Sequence, residues 1–395
     1  MSVTPLSVES DVDLFSEQVL ADPYPAYRHL RDIGPAGYLT RYGIWFLGRY
    51  DGARAALRDW QTFSSDPGIG LNDAFNKAWD AALIHLDPPA HDAQRKLFSE
   101  RLSLRTLGPV SETIGRRAGE LAERVSERGE FDAVTDLAHD LPVHVIMDLI
   151  GWPDEGRERL LDMAAAWFDT AGPENERAVA AGPQVDEMMR FLGGVVASGN
   201  LVEGGFGWTL LEAHRRGEIP IESAIGLLAG YIVAAFDTTI STIATGVWLF
   251  ATNPEQWTLV RDDRALVPAA VNEILRLESP IQGFSRVTTR DVDLGEGVVI
   301  PEGERVLISY GAANRDERQY RHPESFEVRR NPIDHLAFSF GVHACAGQGL
   351  ARMEAQAVFA ALAERVGGFE LAGEPVRAIN NITRGFAHVP VRVTH

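Results

Sequence analysis

Residues 221–251 read IESAIGLLAGYIVAAFDTTISTIATGVWLFA and are apolar on almost every side. A helical run of that length is either a membrane span or a helix threaded through the middle of a large globule. Its second half favours the globule, because Asp237, Thr238, Thr239, Ser241, Thr242 and Thr245 lie there and a carboxylate in an apolar setting is costly unless it is paired or used. The remainder of the chain therefore has to wrap around this helix. Asp237 is either a hydrogen-bonded structural acid or a functional one.

A second stretch, FSFGVHACAG at residues 338–347, contains Cys345, the single cysteine among 395 residues. An intrachain disulfide, a Cys-rich zinc site and a dithiol redox pair are all excluded. Gly341 and Gly347 flank the thiol, as expected where the backbone takes unusual dihedrals or a flat group must approach closely. The text that follows, QGLARMEAQAVFAALAERV, places Leu350, Met353, Ala357, Val358, Ala361 and Leu362 at helical spacing. Cys345 thus precedes a helix N-terminus, where free N–H groups and the helix dipole favour a thiolate. The residues leave two readings open: a buried thiol acting as a small hydrophobe, or a thiolate ligand to haem iron.

Around these two segments the pattern is mainly helical. PYPAYRHLRDIGP suggests a short helix, AGYLTRYGIWFLGRYD a hairpin around Arg41-Tyr42-Gly43, and DGARAALRDWQTF another helix. Residues 64–80 are a long loop with room for a short helix. Pro88 and Pro89 then start a helix that carries His91 and Arg95 on one face, four residues apart. Residues 106–150 are helical with a break at Arg128-Gly129-Glu130. RERLLDMAAAWFDTAGPENE gives a helix, ending at Gly172-Pro173, with an apolar face of Leu160, Met163, Ala164, Trp167 and Phe168. The glycine-rich stretch GNLVEGGFGWTLLEAHRRGEIP reads as a connection containing a short helix. In VPAAVNEILRLESP, Glu273 and Arg276 are three apart on a helix. From Ser279 to Asp316 the text alternates like a small β region, and ITRGFAHVPVRVTH reads as a last hairpin turning near Gly385 and Phe386. With no repeat or shift in composition, residues 1–395 are expected to form one domain, as a monomer.

The net charge of -19 argues against a nucleic-acid binder and against a polybasic membrane attachment. The first residues, MSVTPLSVESDVDLFSEQVLADP, show no apolar run suited to a signal peptide or anchor. A soluble, cytoplasmic protein is the expectation.

Five segments, in this order along the chain, resemble the cytochrome P-450 family: DPPAH…R, AAFDTT, EILR, the arginine in HPESFEVRRNP, and FSFGVHACAG. The last meets the pattern F-x-x-G-x-H-x-C-x-G through Phe338, Gly341, His343, Cys345 and Gly347. The likeness covers nearly the whole chain, and is to the soluble bacterial members. It implies a mainly α fold with a small β-rich part, with haem b held between the long distal helix and the proximal helix after the cysteine loop. Cys345 would be the axial thiolate, with Phe338 and Gly347 beside the haem. His91, Arg95, Arg286 and His343 would hold its propionates. Asp237 and Thr238 would be the catalytic acid and alcohol that pass protons to bound oxygen. One departure is that the usual small-Gly pair is here Ala234-Ala235, which leaves a tighter groove for oxygen. Glu273, Arg276 and Arg330, rather than Arg329, would form a structural ion-pair trio bracing the cysteine loop. Leu71, Phe168, Ala171, Ala234, Ile281 and Phe284 would line the substrate pocket.

The implied activity is a haem-thiolate monooxygenase that inserts one atom of O2 into a small hydrophobic or aromatic substrate. Nothing in the sequence resembles a flavin or nicotinamide site. Electrons are therefore expected from a [2Fe-2S] ferredoxin and its reductase, docking at Lys96, Arg101, Arg105 and Arg352. The wording ESPIQGFSR, GLND and FDTAGPENE resembles members that oxidise or O-demethylate para-substituted aromatics. The loop SSDPGIGLN and the segment LLAGYIVAA lack the arginine that would clamp a benzoate. A peroxide-driven peroxygenase would be expected to lack the acid and alcohol, and a non-enzymatic haem sensor would have no use for them.

Overall fold

A helix that is hydrophobic all round must be surrounded, and the segment Ile221–Thr252 is: eighteen of its residues are buried, from Ala224 to Phe250. It is long and apolar enough to cross a membrane by length and composition, yet here it is the centre of a protein core. The computed structural model describes residues 8–395 except 103, 154, 155 and 158, and for 98, 100, 101 and 104 the backbone alone.

In chain order, β1 (Glu9–Ser10), α1 (Glu17–Ala21) and α2 (Tyr24–Asp32) lead to the hairpin β2 (Gly37–Leu39) and β3 (Ile44–Leu47), then to α3 (Tyr50–Arg58), β4 (Phe63–Ser64) and α4 (Asp73–Ala78). A 3-10 turn at Leu83–His85 precedes α5 (Ala90–Arg101) and α6 (Leu104–Arg128). Strand β5 (Glu130–Asp132) and a π-helical turn at Ala133–Ala138 lead to α7 (Asp140–Ile150), α8 (Arg159–Thr170), α9 (Glu176–Ser198), α10 (Phe206–Arg215) and the central α11 (Ile221–Thr252). Next come α12 (Pro254–Asp262), α13 (Val267–Glu278), β6 (Gly283–Thr288), β7 (Val292–Asp293), β8 (Val299–Ile300), β9 (Arg305–Ser309) and α14 (Tyr310–Ala313). An irregular stretch carries the cysteine loop into α15 (Gln348–Arg365), followed by β10 (Gly368–Leu371), β11 (Val376–Ala378), β12 (Gly385–His388) and β13 (Pro390–Thr394).

The main sheet has the order β1-β2-β3-β9-β6-β4. Its centre pairs Phe284 with Ile308 and Arg286 with Val306, which fixes Arg286 at the edge of the helical part. A second sheet, β10-β13-β5, ties the break after α6 to the last strand through Phe131 opposite Val391. That break is thus a strand and not only the turn that Arg128-Gly129-Glu130 suggests.

The long helix α9 has no clear signature in the sequence. Pro183 and the Gly193-Gly194 pair obscure it, but Ala181, Val185, Met188, Leu192 and Val196 are its buried stripe. Asn175 caps it by accepting the N–H of Ala178, and Gly199, with φ 70°, ends it.

Candidate active site

The cysteine loop is set by its own backbone. Gly341 has φ 73°, and a Cβ there would strike the carbonyl oxygen of Leu57 in α3, so only glycine suits the position. The N–H of Cys345 donates to the carbonyl of Phe338 at 2.8 Å, which closes the loop into a bulge. Gly347 has an ordinary φ of -85°. A Cβ at Gly347 would meet nothing but Cys345 Sγ, 3.9 Å away. Its lack of a side chain therefore serves a group other than the protein itself, as a flat macrocycle against the sulfur requires.

Burial pushes the Cys345 thiol up, while the N–H groups of Gly347 and Gln348 and the charges of Arg95 and Arg352 pull it down. The net direction is upward. The helix terminus alone does not make a thiolate, contrary to the expectation from sequence; a coordinated metal deprotonates a thiol outright. Cys345 keeps partial accessible surface in a position buried enough to raise its pKa, so that surface faces an interior space.

The central helix, α11, presents an interruption in its burial. Val233, Phe236 and Thr239 are buried, whereas Ala234 is exposed and Ala235, Asp237 and Thr238 partly so, in the middle of a core helix. The Thr238 hydroxyl donates to the carbonyl of Ala234 at 2.8 Å, and Thr242 repeats the bond to Thr238 at 2.7 Å. Its proton being used on the helix, Thr238 offers lone pairs to the cavity. The helix remains regular through Ala234-Ala235. Burial, with the charges of Asp169 and Asp162 on α8, pushes Asp237 up to about 7.

The residues expected to hold carboxylates come together at one edge. The rings of His91 and His343 lie 4.6 Å apart, edge to face. His343 Nε2 is 2.9 Å from Ser65 Oγ, and burial together with Arg286, His91, Arg95 and His85 lowers it to about 2. Arg95 donates to the carbonyl of Ala344 at 2.6 Å, next to the cysteine. Arg286 is buried, and burial lowers its pKa against the opposing pull of Tyr310 and Asp87. His91 Nδ1 meets Asp92 at 2.9 Å, but its Nε2 is buried without a partner. Two arginines and two imidazoles with an orphaned buried nitrogen among them are what a dianionic haem edge would complete. Together with the open thiol and Gly347, these residues fit the cofactor.

Glu273 and Arg276 are fully buried and joined by two bonds of 2.8 Å, and Arg330 adds Nε to Glu273 Oε1 at 3.0 Å. Arg276 also donates to the carbonyl of Asn314 at 2.9 Å, and the Asn314 side chain accepts the N–H of Leu336 at 2.7 Å. The trio thereby reaches the cysteine loop through Asn314, a link the sequence analysis does not contain. A second buried cluster joins Glu278 to Arg315, Arg377 and Arg384.

Of the pocket residues, Leu71, Ala234 and Ile281 keep accessible surface, whereas Phe168, Ala171 and Phe284 are covered. Ala171 acts through its backbone, accepting the N–H of Leu71 at 2.9 Å. Phe75, Trp79 and Trp167 add an aromatic cluster beside Phe168, with Phe75 and Trp167 5.0 Å apart. A Cβ on Gly385 would strike Ser241 of α11, so the last hairpin lies on the distal helix as its turn suggests. On the opposite face, Arg352 is held by Asn272 and Gln348 and stacks on Phe338 at 4.4 Å. It is part of the cysteine loop's support, not the free docking charge expected. Lys96 and Arg105 are exposed, the side chain of Arg101 lies outside the described residues, and Arg54, exposed over the Phe340 ring at 4.2 Å, is an addition.

Residues 209–390 match the family described as Cytochrome P450. The chain is similar to cytochrome p450 CYP199A2 of Rhodopseudomonas palustris, 37% identical over 97% of this chain and 94% of the relative. Among solved structures it resembles Mycobacterium marinum cytochrome P450 CYP268A2 in complex with pseudoionone, with TM-score 0.87 and 25% identity over 99% of this chain and 100% of that one. It also resembles cytochrome P450 CREJ in complex with (4-ethylphenyl) dihydrogen phosphate, with TM-score 0.84 and 26% identity over 95% and 98% of the two chains.

Proposed function

The chain belongs to the cytochrome P450 family as a haem-thiolate monooxygenase with Cys345 as the ligand, and on that premise we propose its substrate class, electron donor and proton route. The substrate is a small aromatic compound, oxidised by hydroxylation or O-demethylation in the cytoplasm. Electrons come from a [2Fe-2S] ferredoxin. The observation that carries the route is the pair on α11: an acid pushed up to about 7 beside a hydroxyl whose lone pairs face the cavity.

When bound, haem supplies the iron that activates O2, and the thiolate donates electron density that favours O–O cleavage. The chain's part is to hold and to protonate. His91, Arg95, Arg286 and His343 would hold the carboxylates. Thr238 can accept a hydrogen bond from an ordered water. Asp237 can carry a proton one way and release it the other because its pKa lies near neutrality. Phe75, Trp79 and Trp167 exclude water from the aromatic side. A para-substituted aromatic suits those rings, and a solved relative holds a 4-ethylphenyl compound.

The test is turnover with a ferredoxin, its reductase and NADH, on aromatics first selected by their low- to high-spin Soret shift. Thr238→Ala is expected to keep the spin shift but to divert electrons to peroxide, lowering product per NADH by about tenfold. Unaltered coupling would rule out this proton route.

A further inference from the structure

His85 closes the 3-10 turn before α5 and has no part in the roles above. Its side chain is 1% exposed, and both Nδ1 and Nε2 are buried without a hydrogen-bond partner among the described residues. An imidazole always has at least one N–H to donate, and buried polar atoms in native proteins are nearly always paired. His85 therefore awaits a group the chain does not provide.

Its surroundings indicate the chemistry of that group. One side of the ring lies against Phe75, with centroids 5.5 Å apart. Burial and the charges of Arg286 and Arg305 push His85 down to about 4, and His85 in turn acts on His343. It thus extends the row formed by His91, Arg95, Arg286 and His343. Asp87, the acid nearest in sequence, is already engaged by Ser64 Oγ and the N–H of Ser65. The site has several positive groups and a neutral ring with a free N–H; Asp87 and Asp73 act on Arg286 and Arg305 from a distance, but no carboxylate of the chain is bonded to His85.

We propose that His85 donates a ring N–H to a carboxylate oxygen at this edge, as a binding residue additional to the four above. Two sources present that oxygen: a haem propionate, or an anionic aromatic substrate resting on Phe75. The inference rests on the haem-site reading.

The experiment uses the holoenzyme and two variants, His85→Phe, which fills the space without a donor, and His85→Gln, which restores an N–H. The red-shifted Soret band of the reduced carbonyl complex is recorded first; its absence from the unmodified protein would refute the haem-thiolate reading itself, separately from this one. Haem transfer to excess apomyoglobin is then timed, and spin-state titrations are run with 4-methoxybenzoate and with its methyl ester. A propionate partner predicts haem loss about tenfold faster in His85→Phe, largely rescued in His85→Gln, with the acid-to-ester affinity ratio unchanged. A substrate partner predicts unchanged haem loss and about tenfold weaker binding of the acid alone. Equal haem loss and equal affinities in all three proteins would overturn the assignment. Should His85→Phe not fold, His85→Leu removes the donor without added bulk and carries the same comparison.

Discussion

Asp237 and Glu354 are both acids inside the core, raised for different reasons. Asp237 is lifted to about 7 by burial and by Asp169 and Asp162, and it looks into a cavity. Glu354, on α15, is lifted to about 8 by burial alone, and its Oε1 has no partner. In each case the folded pKa lies above the unfolded value, so the native state keeps a proton that the unfolded chain has released. Stability therefore falls as pH rises, from about 4 to 7 for Asp237 and from about 4.5 to 8 for Glu354. Glu354→Gln is expected to flatten the decline of Tm between pH 5 and 8 and to leave turnover unchanged; an unaltered slope would mean that its carboxyl is not held neutral. Asp237→Asn should likewise stabilise the protein at pH 8, but should lower turnover by about 10²-fold and remove the limb of the pH-rate profile near 7.

Among the elements, legibility followed sequence distance. The ligand loop, the acid and alcohol on α11, and Glu273 with Arg276 are each encoded within a few residues, so their resemblance to the family's motifs marks them. Arg330 could be picked over Arg329 by its spacing: it donates to Glu273, whereas Arg329 is exposed. Arg330→Met should therefore cost about 2 kcal/mol in denaturant unfolding and Arg329→Met under about 0.5 kcal/mol. Equal costs would remove Arg330 from the brace. What sequence could not supply were partners joined only by the fold. Asn314 receives from Arg276 through its carbonyl, 38 positions along the chain, and Glu278 meets Arg384 106 positions away. Helix α9 was lost for a different reason, since Pro183 and paired glycines mask a stripe that only its packing makes plain.

For the whole molecule, a net charge of -19 means that a negatively charged electron donor of the proposed kind would need a local exception. Arg54 and Lys96 are exposed on the side of the cysteine loop, whereas Arg352 is taken up internally. Reversing both charges, Arg54→Glu with Lys96→Glu, should slow ferredoxin-dependent reduction by about tenfold at low salt and flatten its salt dependence, with substrate affinity unchanged. Stopped-flow reduction under carbon monoxide checks this, and an unchanged rate would place the dock elsewhere. The bonds between distant parts of the chain also bear on how the protein is made. Tyr24 donates to the carbonyl of Leu277 at 3.1 Å, Arg31 to that of Ala312 at 3.0 Å, and Arg384 to those of Leu20 and Ala21 at 3.2 and 3.0 Å. At about 5–20 residues per second on the ribosome, α2 waits on the order of tens of seconds for the groups that dock it. His91 and Cys345 are separated in the same way. Cofactor loading therefore waits until both have been made, and through that interval the apolar surface of α11 lacks its native cover.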